Sequence, residues 1–152
     1  MKDLTGQTFC FLGLSGAGKD SQAALLADFA KRNNFPMLSV STGNQGRIVS
    51  AKNTAIGGWV KDILAHGRIF PDALAIALWF SFLLDNFQGR EILIFSGSPR
   101  TIHEAEVLDE VMLGTNRPKV APIYLDISEE EAARRLTRRG RADDQPASMR
   151  ER

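Results

Sequence analysis

At 152 residues and a formal net charge of +1, the chain is long enough for one domain with a substantial core. It carries no overall basic field that would point to nucleic acid or an anionic membrane. A single cysteine, Cys10, rules out a framework of internal disulfides. The opening MKDLTGQT lacks the apolar core of a signal peptide, and the longest apolar stretch, Ala73 to Leu84, is too short to span a bilayer. A soluble, cytoplasmic protein is expected.

Taken in chain order, apolar runs alternate with helical patterns. Thr8 to Leu14 reads as a buried strand, with Cys10 as a strand thiol between Phe9 and Phe11. Lys19 to Asn33 reads as the helix behind it, and Met37 to Val40 as a second strand. Ser41 to Gly89 reads as mostly helical. Within it Asp72 to Phe87 is apolar on nearly every face, which predicts a helix wedged between two bodies. Trp59, Trp79 and the phenylalanines around them read as core. Glu91 to Phe95 and Val120 to Asp126 complete the strands, and Ser128 starts a last helix. Ser128 and Glu131 form a capping box there, with acids in the first turn and arginines in the last. The pattern predicts an α/β fold with a doubly wound parallel sheet and helices on both faces.

The stretch GLSGAGKDSQ, Gly13 to Gln22, carries the strongest chemical signal. Gly13, Gly16, Gly18 and Lys19 satisfy G-x-x-x-x-G-K between a strand and a helix. Glycines let backbone N–H groups turn inward on phosphate oxygens, and the following helix adds its positive end. Asp20 follows the lysine where such loops have Ser or Thr, so an anionic side chain stands beside an anionic ligand.

Four further motifs follow in order: Ser41-Thr42-Gly43 with Arg47, Gly67-Arg68-Ile69-Phe70-Pro71-Asp72, Gly97-Ser98-Pro99-Arg100-Thr101, and Arg141-Ala142-Asp143-Asp144 with Arg152 eight residues beyond. With the glycine loop, these resemble the adenylate kinase family of nucleoside monophosphate kinases from Gly13 to Arg152. The resemblance implies a P-loop NTPase fold in a single domain over 1–152, with a helical NMP-binding insert at 41–71 and a very short lid at 139–144. It implies Mg²⁺-dependent transfer of the ATP γ-phosphoryl group to a nucleoside monophosphate, AMP favoured over GMP. The alternatives are a kinase preferring GMP and a nucleotide-binding module with little or no turnover.

Carried over residue by residue, the family's ATP site falls on Gly16, Ala17, Gly18, Lys19, Asp20, Ser21, Arg135 and Arg139, with Ser21 in the hydroxyl role. The NMP site falls on Thr42, Gly43, Arg47, Arg68, Ile69, Phe70, Gly97, Ser98, Pro99, Arg100, Glu104, Arg141 and Arg152. Lys19, Arg100, Arg139, Arg141 and Arg152 are the implied catalytic set, because phosphoryl transfer relies on positioning and on forked cations around the equatorial oxygens. Arg134 and Arg138 read as solvated partners of the helix's glutamates, Arg134 with Glu130 and Arg135 with Glu131. No metal-ligand spacing occurs, so Mg²⁺ is expected to arrive with ATP near Asp20, Ser21 and Ser96. His66 and His103 read as surface residues.

Three departures from the family pattern carry their own expectations. Ser96 stands where the family has a Mg²⁺-orienting aspartate, which predicts a rate lower by about two to three orders of magnitude unless Asp20 compensates. Glu104 replaces a base-reading glutamine and offers only acceptors when ionised, which suits guanine better in principle, whereas Thr42 is typical of adenine-using members. The chain stops at Arg152 without the family's C-terminal strand and helix. A complete chain would be a monomer, and a truncated one a poorly stable chain or a dimer through the exposed sheet edge. ATP and a nucleoside monophosphate are the expected partners, with neither nucleic acid nor membrane.

Overall fold

A computed structural model of the chain describes residues 3–139, apart from the side chain of Arg139. The elements run β1 (Thr8–Leu12), α1 (Lys19–Arg32), β2 (Met37–Ser41), α2 (Thr42–Ser50), α3 (Ala55–Ala65), α4 (Asp72–Asn86), β3 (Ile92–Ser96), α5 (Ile102–Gly114), β4 (Ala121–Tyr124) and α6 (Glu129–Arg139). The four strands form one parallel sheet in the order β2-β3-β1-β4. The expected α/β architecture, of P-loop NTPase type, is the observed one.

Strand ends differ from the sequence expectation for a physical reason. β1 stops at Leu12 because Gly13, at φ 129°, turns the chain out of the sheet. β4 then has no ladder partner beyond Leu12↔Tyr124, so it is shorter than the apolar run from Val120 to Asp126. β3 is shifted by one residue because Ser96 pairs with both Phe11 and Ser41.

Alternating residues send the sheet's two faces to different cores. On one face Cys10, Val40, Leu93 and Phe95 pack under Trp79, Leu83, Leu108 and Met112 of α4 and α5. On the other, Phe11, Ile92 and Ile94 pack under Ala23, Ala27 and Ala30, a small-residue stripe that lets α1 lie close to the strands. Burial pushes the Cys10 thiol up to about 12, with lesser contributions from Glu104 and Asp109.

A third core joins Val60 and Ile63 of α3 to Leu74 and Leu78 of α4. α4 thus bridges the helical insert and the sheet, as its all-round apolarity predicts. Its outer face departs from that expectation, because Phe80 and Leu84 are exposed. Trp79 is buried, whereas Trp59 is 44% exposed and corrects its assignment to the core.

α1, α3 and α5 end alike. Asn34, Gly67 and Asn116 adopt positive φ, and the two N–H groups at each end reach back to carbonyls of the last turn. Arg117, just beyond α5, donates to the carbonyls of Gln7, Gly89 and Glu91 and to the Thr8 hydroxyl, and lies over the Phe87 ring. It ties together the amino ends of β1 and β3. Partial burial lowers its pKa from the ordinary arginine value. Among the described residues, no helix is long and apolar enough to cross a membrane.

Candidate active site

Every β-strand carboxyl end except that of β4 opens into one cavity of about 390 Å³. It lies beside the point where the chain leaves β1 for neighbours on opposite sides, where open α/β sheets hold ligands.

The glycine loop forms one wall through Ser15, Gly16, Gly18, Lys19, Asp20 and Ser21. Two of its glycines are obligatory on steric grounds. A Cβ on Gly13 would stand 2.5 Å from the Leu125 carbonyl oxygen, and one on Gly16 would stand 2.6 Å from that of Ala132. Both residues also have positive φ. The Lys19 ammonium folds across the loop and donates to the carbonyls of Gly13 and Leu14 at 2.8 Å each. α1 begins after Gly18 with no side-chain cap, the arrangement that receives an anion at a helix N-terminus. Ala17 does not line the cavity. Its side chain is buried, and its N–H donates within the loop to Leu14.

The opposite wall comes from the ends of β2 and β3 and from the helical insert. Thr42 and Ser98, both buried, share a hydrogen bond of 2.5 Å. Arg47 reaches the cavity while donating to Asn44, one turn earlier, at 2.9 Å. Arg100 donates from Nε to the Gly97 carbonyl at 2.8 Å. Both guanidinium groups pass over glycines, Gly43 and Gly97, whose missing Cβ would lie 3.6 Å from them. Arg68 lines the cavity and pairs with Asp62. Ile69 and Phe70 line it too, and Phe70 rests on Gly46 so closely that a Cβ there would lie 2.5 Å from the ring. Pro99, joined to Ser98 by a cis peptide bond, is not among the lining residues.

α6 closes the third side. Arg135 lines the cavity and donates to Glu131 at 2.7 Å. Arg134 pairs with the same Glu131, one turn back, and not with Glu130 as the spacing suggested. Hydrogen bonds from Arg135, then Arg134, hold the Glu131 carboxyl below the usual carboxylate range. Arg141, Arg152 and the expected lid beyond residue 139 lie outside the described residues, as does the Arg139 side chain.

Two of the three unusual residues of the sequence meet here. The Ser96 hydroxyl, at the end of β3, donates to a carboxylate oxygen of Asp20 on the first turn of α1. Both line the cavity. Glu104, in the first turn of α5, is buried with one oxygen taken by the Arg100 backbone N–H at 2.7 Å. Among the described residues, no group of three or more His, Cys, Asp or Glu could hold a metal ion. His66 and His103 are exposed, as expected.

Leu64, Ala75 and Leu136 also line the cavity, and the sequence reading missed them. They belong to no motif, and their only signal is apolar periodicity in helices whose inward faces are set by packing.

A family model described as adenylate kinase matches residues 11–152. An adenylate kinase of Prochlorococcus marinus (strain MIT 9301) is 38% identical over 142 residues, covering 93% of this chain and 74% of the relative. One from Thermus thermophilus is 34% identical over 151 residues, covering 97% and 75%. One from Synechococcus sp. (strain CC9311) is 33% identical over 146 residues, covering 96% and 76%.

Proposed function

The chain belongs to the adenylate kinase family, as an enzyme of the nucleoside monophosphate kinase type, and from that premise we propose that it converts ATP and AMP to two ADP. The observation that carries the reading is one cavity lined by a phosphate-cradling loop and by Arg47, Arg68, Arg100 and Arg135. Such a surround suits two anionic substrates held in one cavity.

In this reading the loop amides at Gly16, Gly18, Lys19 and Ser21 hold the ATP phosphates, and Arg135 lies over the ATP base. Arg47 and Arg100 fork onto the AMP phosphate, with Arg68, Ile69, Phe70, Gly43 and Gly97 closing round it. An AMP phosphate oxygen attacks the γ-phosphorus as the bond to the β-phosphate oxygen breaks, so ADP leaves and ADP forms. No base is required, because the attacking oxygen is already ionised. Lys19 and the arginines neutralise charge on the transferred group, which is where most of the catalysis of such a reaction lies. Arg139, Arg141 and Arg152 would add to the same set.

The donor set fits Mg²⁺ held with ATP. A carboxylate against triphosphate is repelled unless a cation lies between them, and Mg²⁺ takes one carboxylate, hydroxyls and phosphate oxygens with water. Asp20, fixed by Ser96, and the Ser21 hydroxyl supply those groups. When bound, the ion would offset phosphate charge, and Asp20, fixed by Ser96, with the Ser21 hydroxyl would be the residues that hold it there.

A coupled assay of diphosphate formation from ATP and Mg²⁺ with AMP tests the reading, with Arg100→Ala as the control. Turnover that falls by about 10²- to 10³-fold in the control is expected. ATP binding without turnover would replace the enzyme by a nucleotide-binding module.

A further inference from the structure

Gly46 sits inside α2, where glycine is the poorest ordinary residue for a helix. Its φ is not positive, so the backbone does not call for it. The ring of Phe70 does. A Cβ on Gly46 would stand 2.5 Å from the ring's Cζ, 2.9 Å from Cε2 and 3.6 Å from Cε1, whereas carbons in contact lie about 3.5–4.0 Å apart. The tip of the ring thus occupies the place of the missing side chain. Gly58 of α3 is the contrast, also a helix glycine, with nothing within 4 Å of an added Cβ.

Phe70 stands between α3 and α4 and lines the cavity. On its inner side it packs, with Val49 and Leu64, against the third core of Val60, Ile63, Leu74 and Leu78. Those four side chains are buried, so a ring pushed off Gly46 finds no room among them. The open volume beside it is the cavity. The same seat joins the two chain segments that supply cations on this side. Arg47 follows Gly46 directly, Arg68 shortly precedes Phe70, and both arginines line the cavity.

We propose that Gly46 is a positioning residue for the acceptor nucleotide: its bare Cα holds the Phe70 ring back and so keeps the acceptor half of the cavity, beside Arg47 and Arg68, open. The acceptor's identity as AMP rests on the kinase reading above. In Gly46→Ala the added methyl group and the ring cannot both keep their places, and the ring moves into the cavity. The glycine loop and α6, which form the ATP side, contain neither residue. Phe70→Leu shortens the side chain and removes the atoms that fill the seat, so it relieves the clash.

The test is equilibrium titration of AMP and, separately, of ATP into the full chain, Gly46→Ala and Gly58→Ala, with coupled turnover measured alongside. Gly46→Ala should lose AMP affinity by about ten- to a hundredfold and keep ATP affinity within about twofold. Gly58→Ala makes the same change of helix propensity in open space and should alter neither. In the Phe70→Leu background the cost of Gly46→Ala should shrink to about threefold or less, since the two residues act as one contact. Wild-type AMP affinity in Gly46→Ala would overturn the proposal, as would an equal loss in Gly58→Ala or a loss undiminished by Phe70→Leu. If Gly46→Ala fails to fold, the double variant must fold and bind AMP as Phe70→Leu does; a double variant that stays unfolded overturns the seat. The stated AMP loss with no turnover in any chain would support this inference and remove the kinase reading. Turnover with unchanged AMP affinity in Gly46→Ala would do the reverse, and a wild type that binds no AMP would remove both.

Discussion

The phosphate cradle and the acceptor wall face each other across one cavity, yet they are built on opposite principles. The cradle comes from one continuous stretch, Gly13 to Ser21, and its chemistry is mainly backbone. The wall is assembled from the ends of β2 and β3 and the starts of α2, α4 and α5, and its chemistry is in side chains held by one another. Backbone amides in a glycine turn need little support from the rest of the molecule. Buried hydroxyls and a buried carboxylate need every partner in place, because a missing one leaves a desolvated polar group. Substitutions in the cradle should therefore cost rate, and substitutions in the wall should cost stability as well.

The largest effect expected is that of Lys19→Ala. Losing the ammonium on the cradle should lower kcat by about 10²- to 10³-fold, or about 3–4 kcal/mol of barrier. The melting temperature should barely move, because the lysine's hydrogen bonds to the Gly13 and Leu14 carbonyls are only partly buried and water can replace them. A large drop in thermal stability would show that cradle and wall are not separable in this way.

Next is Thr42→Val, which keeps shape but leaves the Ser98 hydroxyl buried without its 2.5 Å partner. It should destabilise the fold by about 2 kcal/mol in denaturant unfolding and weaken AMP binding together. A stable variant with impaired binding would mean the hydroxyl pair serves the ligand alone.

Asp20→Asn probes the contact between the cradle and the end of β3. Half-maximal activity should need roughly tenfold more Mg²⁺, while ATP binding without Mg²⁺ should be no weaker than in wild type. An unchanged Mg²⁺ dependence would leave the Ser96 contact as a purely structural one.

An effect confined to alkaline pH lies away from both regions, at Cys10. Its thiol is raised from 9.0 to about 12 in the folded chain, so the protonated thiol contributes stability that is complete below the unfolded value. Above pH 9 the unfolded chain sheds this proton first, and stability is lost as pH rises toward 12. Relative to Cys10→Ala, wild type should lose up to about 1 kcal/mol per pH unit across that window, read from urea midpoints. An advantage over the variant that stays constant across the window would contradict the burial of the thiol.

Much of this molecule is legible along the chain. The strands show as short apolar runs because a sheet covered on both faces leaves them no polar side, and Ile92 to Ser96, buried throughout, is the clearest case. Trp59 misled because an aromatic in an apolar helix can face either way, and only the packing of α3 on α4 decides which. Arg117 gave no signal, since its acceptors are mostly backbone carbonyls that carry no residue identity.

The sequence by itself determined the phosphate loop, the alternation of strands and helices, and the motif order that places the chain in its family. These depend on neighbours a few residues apart, where spacing and backbone preference act directly. Tertiary structure decided the rest. Asp20 and Ser96 lie 76 positions apart and touch only because β3 is laid beside β1. The glutamate at the start of α5 has one oxygen satisfied and one buried without a partner because the Arg100 N–H takes one and the packing excludes water from the other. No spacing rule carries that information, because a buried atom's need for a partner exists only once its surroundings have closed.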